Sequence, residues 1–271
     1  MKGGAPWRRP LAVLSSPPGV QGYDLLNRTF ERIFVLTIGR GRGRHEKLRE
    51  RLAGLHYELF YGFDGAELDP EGLERAGFYS EARARRVHRH GKAMQLGQLG
   101  CAMTHRAIYQ KMVVNGWKQV LIFEDDVLPR PEAMGELEAA LGELPPTWEF
   151  LYLGYEHGEV TRLWDRVKQG VYLVLAALRL IKWTPREVLG LHPSPYSPHL
   201  RRAGKHHCTH AYAVSLSGAR KLLAEQTPVA YLADQLPLKL CMGRVIEAYL
   251  TDPKFFDQDS FLGNTGTFTT G

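Results

Sequence analysis

The chain has 271 residues, of which 44% are hydrophobic and 24% charged, a composition that excludes disorder along its whole length. Its formal net charge of +6 favours an anionic partner, and nucleic acid, a nucleoside diphosphate and an acidic membrane surface all qualify. Three distant cysteines without a Cys-x-x-Cys pair argue against a disulfide framework and favour a reducing compartment.

The apolar stretches are too short for targeting or for crossing a membrane. Residues 11–14 are apolar after a basic N-terminus, but a secretory core needs at least ~7 apolar residues. No run approaches the ~18 apolar residues of a membrane span. We therefore expect a cytoplasmic protein.

Strands and helices alternate along most of the chain. Residues 1–27 are rich in Pro and Gly without a sustained period, which predicts an irregular extension before a single domain at 28–271. The alternation predicts an α/β fold with a largely parallel sheet. The predicted strands are 32–38, 119–123, 150–153, 211–214 and 245–250, and the predicted helices are 45–55, 131–141, 217–226 and one that starts near Thr104 and ends before Gly116.

Two segments interrupt this alternation. Residues 79–92 are rich in arginine, and residues 160–210 form an insertion with an apolar run, several prolines and a histidine cluster. Neither is regular enough to predict core sheet. Basic residues and Trp183 border the apolar run at 171–181, which fits either an ordinary core helix or a helix lying on an anionic membrane.

An acidic triplet directly follows the apolar strand 119–123. Ligands of open α/β sheets bind at the carboxyl ends of strands, so Glu124, Asp125 and Asp126 stand where a site is expected. Because side chains alternate in extended backbone, Glu124 and Asp126 should face one way and Asp125 the other. Two carboxylates on one side suit Mg²⁺ or Mn²⁺ bound to a diphosphate, whereas a solvated acidic turn is the alternative.

A set of motifs in order along the chain resembles glycosyltransferase family 25, which contains lipopolysaccharide and collagen galactosyltransferases. The resemblance covers roughly residues 31–262. Gln98, Thr104, Thr37 and Gly43 depart from the family pattern. The matching pieces are Gly-Gln-Leu-Gly-Cys-Ala-Met-Thr-His at 97–105, Phe-Glu-Asp-Asp at 123–126, Tyr-Leu-Gly at 152–154, the Thr-x-x-Tyr-x-x-Ser-x-x-Gly-Ala-x-Lys-Leu block from 209, Asp234, and Gln-Asp at 258–259.

The resemblance implies a GT-A-type fold and an inverting transfer of a hexose from a UDP-sugar, with UDP-galactose the first candidate. The acceptor would be a hydroxyl of a glycan, a glycolipid such as lipopolysaccharide, or a protein-linked sugar. It also implies Mn²⁺ or Mg²⁺ as cofactor and Asp234 as the base that takes the acceptor proton. The implied donor-site residues are Thr37, Arg40, Arg44, Gly100, His105, Glu124 and Asp125, and the implied metal ligands are Asp126, Glu124 and Asp259.

Several assignments stay open at this stage. His105 either points into the site or caps the Thr104 helix and satisfies a core hydrogen bond, and Asp234 is either the base or an N-cap or turn residue. Glycines 97 and 100 are expected to allow close backbone approach. The histidines at 206, 207 and 210 match no structural zinc spacing. One of them is a candidate further metal ligand or diphosphate contact, and Asp257 and Asp259 compete for that role.

Three other functions compete with a galactosyltransferase. A nucleic-acid-binding module would suit the charge, but no RNA- or DNA-binding signature is present, so no nucleic-acid partner is expected. A catalytically silent nucleotide-sugar binder is the second. A glucosyl- or N-acetylhexosaminyl-transferase of the same architecture is the third.

Overall fold

The computed structural model describes residues 22–88, 90–156 and 161–259, excluding the side chains at 41 and 42. Ten strands and ten helices are found in these ranges. The strands are β1 (Arg32–Thr37), β2 (Glu58–Tyr61), β3 (Gln119–Glu124), β4 (Val127–Pro129), β5 (Phe150–Glu156), β6 (Ser194–Pro195), β7 (Leu200–Arg202), β8 (His207–Ser215), β9 (Ala248–Thr251) and β10 (Phe256–Gln258). The helices are α1 (Tyr23–Thr29), α2 (His45–Arg51), α3 (Pro70–Arg75), α4 (Glu81–Val87), α5 (Leu96–Asn115), α6 (Leu137–Gly142), α7 (Leu163–Ala177), α8 (Pro185–Leu189), α9 (Leu216–Glu225) and α10 (Gln235–Met242).

Eight strands form one central sheet in the order β2-β1-β3-β8-β5-β9-β7-β6, and β4 pairs separately with β10. Strand β1 is parallel to β2 and β3, and β5 is parallel to β9. Strand β8 is antiparallel to both of its neighbours, and β7 is antiparallel to β9 and β6. The α/β class is confirmed, and the sheet is mixed, with β8 and β7 running against the other six strands. A short apolar run indicates a buried strand and carries no information on its direction.

Apolar layers cover both faces of the sheet. Along β3, Leu121 and Phe123 belong to the cluster that includes residues of α1, α2 and α6. Val120 and Ile122 belong to the cluster that includes residues of α5, α9 and α10. Because both faces are covered, β3 is a continuous apolar run until it reaches the carboxylates.

The helix expected near Thr104 begins earlier, at Leu96, and ends at Asn115. At its start the backbone N–H of Gln95 donates to the Gln98 side chain at 3.0 Å. Gly116 follows its last residue in the left-handed region, with φ of 69°, as the C-terminal glycine predicts.

Only one of the two glycines at the start of α5 is needed for close packing. A Cβ at Gly100 would lie 2.5 Å from the carbonyl oxygen of Phe63, so close backbone approach is confirmed there. A Cβ at Gly97 would meet nothing within 4 Å, so the same expectation was wrong for Gly97.

Two expectations about irregular segments need correction. Part of the extension predicted at 1–27 is helical, because α1 starts at Tyr23, whereas residues 1–21 lie outside the described residues. The insertion at 160–210 does contribute to the sheet through β6, β7 and the start of β8. Strands of two and three residues are too short to show a period of two in the sequence.

Candidate active site at the carboxyl edge of the sheet

The acidic triplet lies where β3 leaves the sheet. Glu124 is the last residue of β3, and β4 begins at Val127 after a turn formed by the two aspartates. Strand β10 then pairs antiparallel with β4, which sets Gln258 opposite Val127. The backbone N–H of Asp259 donates to the Asp126 carbonyl at 2.8 Å. The end of β10 and Asp259 therefore lie against the turn that carries the triplet.

Glu124 and Asp126 share one partner, whereas Asp125 faces elsewhere. The Gln258 amide nitrogen lies 3.1 Å from Asp126 Oδ2 and 3.4 Å from Glu124 Oε2. Asp125 accepts a hydrogen bond from Thr37 Oγ1 at 2.9 Å and forms an ion pair with Arg44 Nη1 at 2.8 Å. The predicted alternation of the three side chains is thereby confirmed.

Two other elements hold the Glu124 carboxylate. Thr209 Oγ1 of β8 donates to Glu124 Oε1 at 3.1 Å, and His105 Nε2 of α5 lies 3.7 Å from the same oxygen. Burial acts to raise the pKa of Glu124, but the contacts with His105, His210 and Thr209 outweigh it, and the net shift is downward. The carboxylate is therefore ionised near neutral pH.

His105 points into the site. It lies inside α5 rather than at its start, and its side chain is buried. Its Nδ1 is 2.7 Å from the Tyr212 hydroxyl, which is 3.0 Å from the Tyr109 hydroxyl. This buried chain fixes the imidazole so that Nε2 faces Glu124. The helix cap of the alternative is not formed, whereas its core hydrogen bond is present, with the Tyr212 hydroxyl.

His210 presents a buried ring nitrogen without a partner. Its Nε2 lies 3.2 Å from the carbonyl oxygen of Phe256, which only accepts, so Nε2 carries the hydrogen. Its Nδ1 is buried without a hydrogen-bond partner, and burial lowers the pKa of the ring. Metal-binding histidines commonly have one N–H on a backbone carbonyl and a free lone pair on the other nitrogen. A Cβ at Gly154 would lie 2.3 Å from Nε2, so this glycine makes room for the ring.

The other two histidines of the cluster make different contacts. His206 is buried, with its ring centroid 5.2 Å from that of Tyr155. His207 Nδ1 lies 3.7 Å from Asp234 Oδ2. Across the described parts of the chain, no three side chains of His, Cys, Asp or Glu gather in a group suited to a metal ion. A structural zinc site is therefore not formed by these residues.

Asp259 is buried beside the triplet but turns its carboxylate to α2. Arg51 Nη2 lies 2.5 Å from Asp259 Oδ2, while Oδ1 is buried without a hydrogen-bond partner. In the described side chains, Glu124, Asp126 and Asp259 do not gather as a three-residue metal group, because Asp259 pairs with Arg51; its role as a metal ligand stays a prediction. This ion pair joins residues 208 positions apart in the chain and was not predicted from the sequence.

Asp234 lies just before α10, with its side chain about one-third exposed at 32%. It occupies the N-cap position, but its side chain makes no capping hydrogen bond, so the turn-residue alternative lacks its usual contact. Burial raises the pKa of the Cys208 thiol to about 12, and the negative charges of Glu124 and Asp234 add to this effect. His207 lies 3.7 Å from Asp234, and Thr209, two residues further along β8, donates to Glu124, so Asp234 borders the same site.

Three of the residues predicted to bind the donor lie at the end of β1 and in the 3₁₀ segment that follows it. Arg40 forms an ion pair with Asp64 at 2.8 Å and is half-exposed. Thr37 is buried and contacts His45 Nε2 at 3.1 Å as well as Asp125. The contacts of Gln258, Asp64 and His45 were not anticipated, because they depend on strand pairing and on the short 3₁₀ segment Gly39–Arg44.

The comparisons with known proteins identify the family of this chain. A sequence model described as glycosyltransferase family 25 (LPS biosynthesis protein) matches residues 30–237. The chain belongs to glycosyltransferase family 25. The matched range includes the acidic triplet and Asp234, and it ends before Gln258 and Asp259.

Over the aligned residues, the relatives are about one-quarter identical to this family 25 chain. The "Probable inactive glycosyltransferase 25 family member 3" of Bos taurus is 27% identical over 207 residues, which is 73% of this chain and 29% of the bovine protein. The "Inactive glycosyltransferase 25 family member 3" of Homo sapiens is 26% identical with the same coverage. The "Glycosyltransferase 25 family member" of Drosophila melanogaster is 28% identical over 201 residues, 72% of this chain and 28% of its own. The matched part thus spans less than a third of these relatives.

Proposed function

We propose that this family 25 chain is an active, inverting glycosyltransferase of the GT-A type. It would transfer a hexose, with galactose the first candidate, from a UDP-sugar to a hydroxyl of a glycan, glycolipid or protein-linked acceptor. The observation that carries the proposal is the convergence of Glu124 and Asp126 at the carboxyl edge of the sheet, with Asp234 bordering the same site through the β8 residues His207 and Thr209. Nucleotide ligands of open α/β sheets bind at this edge.

The residues present fit a divalent cation. Mg²⁺ is commonly held by one or two carboxylates together with substrate phosphates and water, so a group of three protein ligands is not required. Glu124 and Asp126 would hold the ion, and the buried Nδ1 of His210 is the further candidate ligand. When bound, the cation would offset the charge that develops on the diphosphate leaving group.

The remaining chemistry falls to residues of the chain. Asp234 is partly exposed and would accept the proton of the acceptor hydroxyl as it attacks the sugar carbon. Thr37 and Arg44 hold Asp125, which fixes the turn that carries Asp126. His105 and Thr209 hold Glu124 in its ionised form.

The test is titration calorimetry with UDP in the presence and absence of Mn²⁺, followed by assays of UDP release from UDP-galactose, UDP-glucose and UDP-N-acetylhexosamines. We expect Mn²⁺ to strengthen UDP binding and Asp126→Ala to remove the Mn²⁺-dependent part. The matched control is Asp24→Ala, which removes an exposed aspartate on α1. Equal UDP affinity with and without Mn²⁺ in the wild type would contradict the proposal.

The second candidate is a nucleotide-sugar-binding protein without transferase activity. The relatives from Bos taurus and Homo sapiens that are named inactive favour it. The same experiments separate the two. Mn²⁺-dependent UDP binding without UDP release from any donor, in the presence of a range of sugar acceptors, would favour the silent protein.

A further inference from the structure

Helix α7 is attached to the protein by one narrow side. Gln169 donates its amide to the carbonyl of Val188 in α8 at 2.7 Å. Ala176 is buried in a small cluster with residues of α8 and α10, and Leu173 packs against that cluster. The inward side of the helix therefore consists of a polar contact and a few apolar side chains.

The opposite side is a continuous apolar stripe in solvent. Its members follow each other at intervals of three or four residues, which places them on one face of a helix. The stripe consists of Leu163 (80% exposed), Val167 (47%), Val171 (55%), Val174 (59%) and Leu178 (64%), with Trp164 (66%) beside its first member. The core-helix alternative is therefore wrong for this segment, because its larger apolar face points away from the core.

Exposed cations border this stripe. The one acidic side chain within α7, that of Asp165, accepts a hydrogen bond from the backbone N–H of Arg162 at 2.9 Å. The basic residues are Arg162, Arg166 and Lys168 near the start of α7 and Arg179 and Lys182 after its end, all of them exposed.

The arginine-rich segment 79–92 joins the same surface. Lys182 Nζ donates to the carbonyls of Arg86 and His88 at 3.0 and 2.9 Å. Burial lowers the pKa of His88, and the nearby charges of His90, Lys182 and Lys92 lower it further. Lys182, which follows α7, therefore lies against the arginine-rich segment.

We propose that this surface, the apolar stripe of α7 with its bordering cations, docks onto an anionic membrane. A bilayer with acidic headgroups offers both an apolar layer for the stripe and negative charge for the cations. A second copy of the chain would bring like charges together across the interface, which opposes association. Within the residues that the structure describes, no helix is long and apolar enough to span a membrane, so α7 would lie on the surface.

The docking surface lies close to the candidate active site along the chain. Strand β5 ends at Glu156 and α7 begins seven residues later, at Leu163. Seven residues span at most about 25 Å, so docking would keep the carboxyl edge of the sheet near the headgroups. The docking proposal does not depend on the proposed activity.

The experiment is co-sedimentation of the full chain with vesicles of phosphatidylcholine plus phosphatidylglycerol and with vesicles of phosphatidylcholine alone. We expect binding to the acidic vesicles that weakens at high salt. The double variant Val171→Ser/Val174→Ser should bind on the order of 10-fold more weakly, because two exposed apolar side chains no longer enter the bilayer. The matched control is Val114→Ser/Val245→Ser, two exposed valines elsewhere in the protein, which should bind like the wild type.

Each remaining outcome counts against the proposal. These are no binding of the wild type to acidic vesicles at low salt, equal binding to neutral vesicles, or equal loss in both double variants. Light scattering tests the alternative occupant, a second copy of the chain. A concentration-dependent dimer that is dissociated by Val171→Ser/Val174→Ser, but not by the control variant, would assign the stripe to that second copy. Circular dichroism and thermal melting verify that both variants are folded, as expected for changes at exposed positions.

Discussion

Two clusters in this protein combine a glutamate with a histidine, and they differ in what they leave unsatisfied. At the surface, Glu143 after α6 accepts hydrogen bonds from Ser197 Oγ at 2.5 Å and from the backbone N–H of His199 at 2.9 Å. Its other oxygen lies 2.6 Å from His199 Nδ1. At the carboxyl edge of the sheet, Glu124 accepts a hydrogen bond from Thr209 Oγ1 at 3.1 Å, whereas His105 Nε2, at 3.7 Å, is buried without a hydrogen-bond partner.

In the surface cluster both carboxylate oxygens have hydrogen-bond partners, whereas the edge cluster contains buried polar atoms that have none. Both Glu143 oxygens are engaged, and the hydrogen bond with His199 is the main cause that lowers the pKa of Glu143 to about 2. Around Glu124, the buried atoms Gln258 Oε1, Asp259 Oδ1 and His210 Nδ1 have no hydrogen-bond partner. Leaving such an atom unsatisfied costs about 1–3 kcal/mol. The first cluster fastens a surface segment, and the second contains buried polar atoms that the proposed cation and donor would satisfy.

The largest effect is expected from Asp234→Asn, beside the edge cluster. The change keeps the shape of the side chain but removes the carboxylate that would accept a proton. We expect turnover with the preferred UDP-sugar to fall by ~10²–10⁴-fold, while UDP affinity by calorimetry stays close to that of the wild type. Near-normal turnover would remove Asp234 from the mechanism, and a large loss of UDP affinity would make it a donor-binding residue instead.

Asp125→Asn tests whether Asp125 stabilises the fold while Asp126 binds the cation. Asp125 has both oxygens engaged by Thr37 and Arg44, as Glu143 has by its partners. We therefore expect a loss of about 1–3 kcal/mol in the free energy of unfolding, measured by urea denaturation. The Mn²⁺-dependent part of UDP binding should survive, in contrast to Asp126→Ala. Its complete loss in Asp125→Asn, with unchanged stability, would place Asp125 among the metal ligands.

The smallest effect is expected at the surface cluster. The pKa of Glu143 is lowered from 4.5 to about 2, so its contribution to stability is present above pH 4.5 and is lost as the pH falls toward 2. The pKa of His199 is raised from 6.5, mainly by its hydrogen bond with Glu143, so its contribution is present below pH 6.5 and is lost as the pH rises through the raised value. Glu143→Gln should flatten the pH dependence of the melting temperature on both sides without changing UDP affinity. An unchanged pH profile would mean that the cluster does not stabilise the fold.

The central elements could be predicted from the sequence because their signals are local. The apolar runs of β1, β3 and β5, the glycine after α5 and the carboxylates after β3 each follow from neighbouring residues. The direction of β8, the β4–β10 pairing and the Arg51–Asp259 ion pair join parts that are far apart in the chain. Such contacts are set by tertiary packing, and no local pattern encodes them. The family resemblance supplied Asp234, Thr209 and Gln258 as residues of interest, but not their partners.

The position of β8 has a consequence for how the protein assembles. The order of the sheet leaves β2, β1 and β3 on one side of β8 and β5, β9, β7 and β6 on the other. Strand β8 pairs with β3 across about ninety residues of intervening chain, as in the register of Tyr212 with Ile122. Contacts at such separations form late, because closing the loop costs entropy before any contact compensates for it. Since the same strand carries Thr209 and His210, the carboxyl edge acquires its full set of residues only when the two halves of the sheet have joined.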